Sequence, residues 1–265
     1  MIANYHTHTY RCHHATGTER EYIEKAIAGG IKYMGFSDHI PCINLDGTES
    51  TFRVSMDDRF NYSRRILSLK EEFKGKIDIK LGYEAEYCPL LFDRMLQVCR
   101  ETDAEYLILG QHFLGNVYQK GNRVSSTESD SEERLKDYVE QVCEGMRTGY
   151  FSYVAHPDVI KFSGDKEIYR TYMRRICQTS LETGVPLELN FLGMREGRHY
   201  PTADFWELVG EMGCDVVYGM DAHSVKSAYD GESFEKAEKM KEKYGLRVLE
   251  MPPIRDIREM SIKKS

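Results

Sequence analysis

The stretch that decides the fold is Gly29-Gly30-Ile31-Lys32-Tyr33-Met34-Gly35-Phe36-Ser37-Asp38-His39. Its paired glycines can stop a preceding helix, and the apolar run 31–36 has the length of one buried strand. Asp38 and His39 then follow the strand, and both side chains can bind a metal or move a proton. The stretch therefore predicts a helix, a strand and a chemically active strand end, in that order.

The same unit recurs along the whole chain. Predicted strands lie at 2–5, 31–36, 77–83, 106–109, 153–155, 186–190 and 215–218, with an eighth apolar segment at 247–250. Predicted helices begin at the capping box 18–21 and lie at 58–74, 89–101, 131–148, 166–183, 202–212 and 233–244. This alternation indicates an α/β protein with a parallel sheet, either closed as a barrel or open and doubly wound.

Composition narrows the possible classes of protein. The 265 residues carry 36 Lys and Arg against 43 Asp and Glu, a formal net charge of −7. An acidic chain disfavours sequence-blind nucleic-acid binding, which depends on excess Lys and Arg, so we expect no nucleic-acid partner. Because no linker or shift in composition marks a boundary, we expect one domain over residues 1–265.

The compartment is also suggested by the sequence. No apolar run approaches the length of a membrane span, and the first residues lack the pattern of a signal peptide. The seven cysteines are odd in number and form no C-x-x-C pair, which favours reduced thiols. We therefore expect a cytoplasmic protein without a membrane partner.

The predicted strands share one positional feature, a polar side chain at the C-terminal end. In strand order these residues are His6 and His8; Asp38 and His39; Glu84 and Glu86; Gln111 and His112; His156 and Asp158; Asn190 and Arg195; Asp221 and His223. In a parallel α/β barrel that end is the face on which active sites are built. A lone histidine beside a strand is more often structural, but a structural role does not explain the whole set.

Imidazole and carboxylate groups together suit Zn²⁺, Fe or Mn²⁺. A mononuclear site takes about three or four protein ligands. The candidates exceed that number, because His14 in the first loop adds a seventh imidazole. We therefore predict two to three divalent or trivalent transition-metal ions, an arrangement suited to the hydrolysis of phosphate esters.

Seven motifs resemble those of the PHP (polymerase and histidinol phosphatase) superfamily. They are His6-Thr7-His8, Cys12-His13-His14, Ser37-Asp38-His39, Gly82-Tyr83-Glu84, Gln111-His112-Phe113, Ala155-His156-Pro157 and Asp221-Ala222-His223. The segment 188–195, followed by Tyr200-Pro201, is similar to the monofunctional histidinol-phosphatase branch, although Phe191-Leu192 replaces small residues common there. The resemblance implies a distorted (β/α)7 barrel with a trinuclear metal centre at the C-terminal ends of the strands.

The resemblance also implies how the ligands are grouped. One ion would be held by His6, His8, Glu84 and Asp221; Glu84 would bridge to a second ion bound by His112 and His156; a third would be held by His14, His39 and His223. His14 is preferred to His13 because its offset from His8 fits the family motif.

Further roles follow from the resemblance and from position in the sequence. Arg195 is expected to contact the substrate phosphate, with Lys161 as a second cation and His199 lining the pocket. Asp38 and Asp221 are the candidate catalytic carboxylates, with Asp38 acting either as general acid or as support for a ligand. We expect Glu86 to hydrogen-bond a ligand histidine, although Glu86 and Asp158 are also candidate acceptors for a substrate amine.

These observations predict a metal-dependent phosphomonoesterase acting on a small phosphorylated metabolite, with histidinol phosphate as the expected substrate. One alternative is a related phosphoesterase acting on nucleotides or nucleic-acid ends. A second alternative is a metal-binding or regulatory module without catalytic activity. The native metal and the oligomeric state are left open by the sequence.

Overall fold

The computed structural model describes residues 1–115 and 124–260. Strands in this part of the chain are β1 (Ala3–Asn4), β2 (Tyr33–His39), β3 (Asp78–Ala85), β4 (Tyr106–Leu109), β5 (Phe151–Val154), β6 (Leu187–Asn190), β7 (Asp215–Gly219) and β8 (Arg247–Val248). The α-helices are α1 (Glu19–Ala28), α2 (Arg59–Glu72), α3 (Phe92–Glu101), α4 (Glu132–Arg147), α5 (Lys166–Thr183), α6 (Phe191–Glu196), α7 (Ala203–Met212) and α8 (Gly231–Tyr244).

All the described strands pair in parallel and in chain order, from β1 to β8. A parallel bridge between Thr7 and Ala222 joins the segment after β1 to the segment after β7. There the amide of His8 donates to the carbonyl of Ala222 at 3.0 Å. The ends of the first and seventh strands therefore meet, while β8 pairs only with the first two residues of β7. The predicted distorted (β/α)7 barrel is confirmed.

The helix boundaries follow local chemistry. The capping box at Thr18 is formed, with Glu21 and Thr18 bonding each other's backbone amides. Helix α5 begins where the side chain of Asp165 accepts from two amides, and it ends at Gly184 in the left-handed region. Helix α3 begins later than predicted, because residues 88–91 form a turn in which the Leu91 amide donates to the Cys88 carbonyl at 2.9 Å.

Two differences from the predicted elements affect the site. Strand β2 continues through Asp38 and His39, so both side chains belong to the strand rather than to the following loop. Helix α6 was not predicted at all. It starts directly after β6, where the side chain of Asn190 caps the amide of Gly193, and it is six residues long. A helix of that length is too short to show a helical period in the sequence.

Inside the barrel, the layer of side chains away from the C-terminal ends of the strands is aromatic and apolar. It contains Tyr5, Tyr106, Tyr153, Ile108 and Val217, all buried. Tyr106 donates its hydroxyl hydrogen to the carbonyl of Tyr5 at 2.7 Å. A second, larger core fills the space between the sheet and the helices. Within the described residues, no helix is both long and apolar enough to cross a membrane.

Candidate metal centre

The strand ends bring all nine predicted metal ligands to one place above the aromatic layer. His39 and Glu84 lie in β2 and β3, and the other ligands follow strand ends or lie in the first loop. They surround a cavity of about 560 Å³ whose lining includes eight of them: His8, His14, His39, Glu84, His112, His156, Asp221 and His223. The ninth, His6, is fully buried beneath the cavity.

The first predicted group is compact. The Nε2 atoms of His6 and His8 lie 3.2 Å apart, and the His6 Nε2 atom lies 3.6 Å from Glu84 Oε2. Asp221 Oδ1 is 3.5 Å from His6 Nε2 and 3.4 Å from His8 Nε2. Ligand bonds of 2.0–2.2 Å in tetrahedral geometry separate neighbouring ligand atoms by about 3.3–3.6 Å. The four side chains therefore have the spacing expected of four ligands to one metal ion.

Glu84 also faces a second group. Its Oε1 atom is 2.9 Å from His156 Nε2 and 3.4 Å from His112 Nε2, whereas its Oε2 atom faces His6 and His8. A Cβ atom at Gly110 would collide with this carboxylate, so glycine leaves the room that Glu84 occupies. The two oxygens of one carboxylate thus point to two separate sets of imidazoles.

The third predicted trio is distributed over two overlapping clusters. His223 lies within ligand distance of His8 and His39 in one cluster, and of Cys12 and His14 in the other. The rings of His14 and His223 stack with centroids 4.8 Å apart. Cys12 was assigned no role from the sequence beyond a buried thiol. His13 is exposed and adopts a left-handed backbone conformation, outside the described clusters.

The donor set fits a bound cation. Glu84 Oε2 and Asp221 Oδ1 are buried and accept no hydrogen bond from the described residues, although both face the same imidazole nitrogens. Buried carboxylate oxygens without a partner are costly unless a cation or donor compensates them. His156 and Asp221 also have positive φ values of 31° and 45°, a strain that concentrates at functional sites.

The charge states of two of the candidate ligands, Glu84 and His223, suit metal binding as well. Burial by itself would raise the pKa of Glu84, but His112, His39 and His6 hold that pKa well below its usual value. Burial lowers the pKa of His223 to about 3, helped by the neighbouring His8. At neutral pH the carboxylate is therefore ionised and the imidazole of His223 is neutral, which are the forms that ligate metals.

Glu188 is a member of the site that sequence reasoning missed. It is fully buried in β6, and its Oε1 atom lies 2.8 Å from Nδ1 of His6. Its Oε2 atom accepts from the amide of His156 at 3.0 Å and from Asn190 Nδ2 at 2.9 Å. The carboxylate therefore orients two of the candidate ligands. The signal in the sequence is an acidic residue between two leucines inside a strand.

Asp38 and Glu86 lie behind the ligands. Asp38 is buried outside the described lining of the cavity, with Oδ1 3.5 Å from His8 Nδ1 and Oδ2 accepting from the amide of Thr9. This position favours support of His8 over the alternative role of general acid. Glu86 contacts His112 Nδ1 at 3.1 Å, as expected, and forms a buried ion pair with Arg53.

None of the three predicted substrate-binding residues is among the described residues that line this cavity. The guanidinium of Arg195 donates to the carbonyl of Asp221 at 3.1 Å and pairs with Asp230 at 3.1 Å. Arg195 therefore braces the loop of Asp221 and is not among the described cavity-lining residues. Lys161 pairs with Glu128 at 2.8 Å, and His199 contacts the Val159 carbonyl; both line a separate cavity.

The part of the cavity lining outside the candidate ligands is formed by other residues. Glu196 ends α6, and Arg198 follows two residues later, so both lie at the rim with Leu192 and Tyr200. Phe52 and Phe113 form the opposite wall, their rings stacked with centroids 5.5 Å apart and planes 22° apart. None of these was singled out from the sequence as a binding residue; Glu196 and Arg198 reach the cavity because of the position of α6, which the sequence did not predict.

Comparisons with known proteins agree with this arrangement. Residues 4–191 match the family model described as PHP domain. The chain is 29% identical over 226 residues to the probable histidinol-phosphatase of Deinococcus radiodurans, covering 84% of this chain and 86% of that protein. It is 24% identical to the histidinol-phosphatase of Lactococcus lactis, covering 93% and 92% of the two chains.

Solved structures show the same fold. The histidinol phosphate phosphatase of Lactococcus lactis, crystallised with zinc, L-histidinol and phosphate, matches with a TM-score of 0.70 at 20% identity, over 94% of this chain and 95% of that one. A histidinol phosphatase from Listeria monocytogenes matches with a TM-score of 0.73 at 20% identity, over 88% and 99%. With a family match that spans most of its length, and with its barrel, this chain belongs to the PHP family.

Proposed function

We propose that this protein is a metal-dependent phosphomonoesterase that hydrolyses L-histidinol phosphate to L-histidinol and phosphate. The observation that carries the proposal is Glu84, whose two carboxylate oxygens face two sets of imidazoles on the wall of one cavity. The names of the relatives from Deinococcus radiodurans and Lactococcus lactis supply the substrate.

The nine predicted ligands would hold two to three transition-metal ions, with zinc, iron and manganese all suited to imidazole and carboxylate ligands. His6, His8, Glu84 and Asp221 would hold one ion, and Glu84, His112 and His156 a second. His14, His39 and His223 surround the remaining position. Such ions bind phosphoryl oxygens, activate water and stabilise a leaving alkoxide.

The chain's own residues divide the cavity into two ends. The imidazoles and carboxylates form the polar end, where a phosphate group belongs. Phe52 and Phe113 form an apolar wall opposite Glu196 and Arg198, which suits the flat imidazole of the substrate. Among the described lining residues Arg198 is the only Lys or Arg, whereas a nucleic-acid groove requires several. The lining therefore favours a small phosphate ester over a nucleic-acid end.

We propose further that residues 1–265 act as one domain. The main core runs from Tyr22 to Ile257 without a break between separate clusters of helices. All seven cysteines are buried thiols in the described part of the chain, which supports a reducing compartment such as the cytoplasm.

A turnover screen tests the function. The protein, reconstituted in turn with Zn²⁺, Mn²⁺ and Fe²⁺, is assayed against L-histidinol phosphate, a nucleoside monophosphate and a phosphodiester. We expect kcat/KM for histidinol phosphate to exceed the others by roughly 10²-fold, the discrimination of a site with dedicated polar contacts. Equal or faster turnover of the nucleotide or the diester would transfer the function to the alternative phosphoesterase. No turnover of any ester by protein with bound metal would favour the non-catalytic module.

A further inference from the structure

The polar groups expected to receive the substrate's amine are already engaged. Asp158 is fully buried and accepts from the amide of Thr202 at 2.6 Å. Glu86 is held between Arg53 and His112. Neither carboxylate can leave these partners without leaving a buried donor unsatisfied, which is costly. The amine acceptor must therefore lie elsewhere on the cavity wall.

Glu196 meets this requirement. In the described lining it is the one carboxylate outside the metal-ligand groups, which contain Glu84 and Asp221. Its Oε2 atom accepts from Arg198 Nε at 2.9 Å and Nη2 at 2.7 Å, and its Oε1 atom accepts no hydrogen bond from the described residues. Arg198 Nη1 donates to the hydroxyl of Tyr200 at 3.2 Å, and the ring of Tyr200 lies 6.0 Å from that of His156. The guanidinium of Arg198 is thus connected through the ring of Tyr200 to His156, a candidate metal ligand.

We propose that Glu196 and Arg198 together recognise the ammonium and phosphate groups that the substrate carries on neighbouring carbon atoms. Glu196 accepts from the ammonium, and Arg198 donates to the phosphate. The inference rests on the proposed function and deepens it, because it assigns specificity to the vicinal amino-phosphate rather than to the imidazole ring. An adjacent carboxylate and guanidinium complement an adjacent cation and dianion, with charge-assisted hydrogen bonds on both sides.

The energetics allow the pair to open for a ligand. The side chains of Arg198 and Glu196 are 45% and 48% exposed, and exposed ion pairs contribute little to stability. Replacing this contact by contacts to the substrate therefore costs little. The backbone that carries the pair is fixed, since the amide of Arg198 donates to the Gly193 carbonyl at 3.0 Å and Arg195 braces the same helix against Asp230.

The test compares L-histidinol phosphate with its deaminated analogue, 3-(imidazol-4-yl)propyl phosphate, on the metal-loaded full chain. Wild-type protein should prefer the amine-bearing ester by roughly 10²-fold in kcat/KM. Glu196→Gln should reduce this preference at least tenfold, mainly through KM for histidinol phosphate. Arg198→Gln should lower kcat/KM for both esters to a similar extent. Glu211→Gln is the matched control, because Glu211 is 47% exposed and paired with Arg170 outside the cavity.

The outcomes distinguish failure of the proposed function from failure of the inference about Glu196. If wild-type protein does not hydrolyse histidinol phosphate, the proposed function fails. If wild-type protein discriminates but Glu196→Gln keeps the preference within twofold, or lowers turnover of both esters equally, the inference about Glu196 fails while the function stands. Metal content and circular dichroism of each variant verify that the folded, loaded state is the one compared.

Discussion

Two layers of side chains lie inside the barrel: the aromatic layer described above, and a metal layer formed by the candidate ligands and Glu188. Both layers pack against glycine residues, although one is apolar and the other is ionic. In the aromatic layer, a Cβ atom at Gly35 or Gly82 would collide with the ring of Tyr106. In the metal layer, a Cβ atom at Gly110 or Gly219 would collide with the carboxylates of Glu84 or Glu188. In each case a strand or strand end lacks a side chain so that a large neighbour can lie across it.

The difference lies in what completes each layer. Tyr106 in the aromatic layer satisfies its hydroxyl group internally, through the carbonyl of Tyr5. The metal layer contains buried carboxylate oxygens of Glu84 and Asp221 that accept no hydrogen bond within the described residues. The aromatic layer leaves a neutral hydroxyl group, that of Tyr153, without a partner among the described residues, whereas the metal layer leaves carboxylate oxygens, which depend on cations. Each prediction below tests this distinction.

The largest effect is expected for Glu84→Gln. An amide cannot bridge two cations as a carboxylate does, so occupancy should fall at two positions together and kcat by about 10³-fold or more. Elemental analysis and steady-state kinetics measure both effects. Glu105→Gln is the control, since Glu105 is equally buried but pairs with Lys70 away from the cavity. Loss of a single ion in Glu84→Gln would contradict the bridging role.

Paired glycine substitutions test the layers directly. Gly219→Ala and Gly35→Ala should each destabilise the fold by about 1–3 kcal/mol through overpacking. Only Gly219→Ala should also release metal, because its methyl group displaces Glu188 rather than Tyr106. Urea unfolding and metal content per folded chain distinguish the two. Equal metal loss in both variants would mean that the layers are not independent.

A smaller effect is expected for Glu188→Gln, which keeps the shape of the side chain but removes its charge. Because Glu188 holds Nδ1 of His6, metal affinity should decrease by about 10–100-fold. Competition with a chelator of known affinity provides the measurement, and Glu207→Gln on the exposed face of α7 is the control. Unchanged affinity would show that the charge of Glu188 is not needed to position His6.

The smallest effect is expected for Arg195→Ala. The guanidinium braces the carbonyl of Asp221, so its removal should weaken metal binding by roughly tenfold, about 1.4 kcal/mol. Arg198→Ala should leave metal affinity unchanged. If Arg195→Ala instead retains all its metal but loses kcat/KM for histidinol phosphate, Arg195 contacts substrate, as the family resemblance implies.

The strand-end positions could be predicted because they depend on local rules. Apolar runs and capping residues fix the elements, and parallel strands bring their C-terminal ends to one face. His39 and Glu84, for example, are neighbours in the register of β2 and β3, as their positions at the two strand ends suggest. The candidate ligands could therefore be predicted without knowing where the helices lie.

Other assignments depended on elements that the sequence does not reveal. The direction of Arg195 is set by α6, a helix too short to give a periodic pattern, and this helix turns Arg195 towards Asp221 while Arg198 reaches the cavity. The role of Glu188 depends on Gly219 in the next strand, a relation between residues far apart in the chain. Lys161 is the expected cation, but a local pair with Glu128 directs it into another cavity.

The bridge between Thr7 and Ala222 has a consequence for the order of assembly. It links the segment after β1 to the segment after β7, and contacts between such distant parts of a chain form late. His6 and His8 emerge from the ribosome first, yet Asp221 joins them only after the seven strands of the barrel have been translated. A nascent chain that ends before residue 221 would possess these strands and the second group of Glu84, His112 and His156, but it could not assemble the first group of candidate ligands.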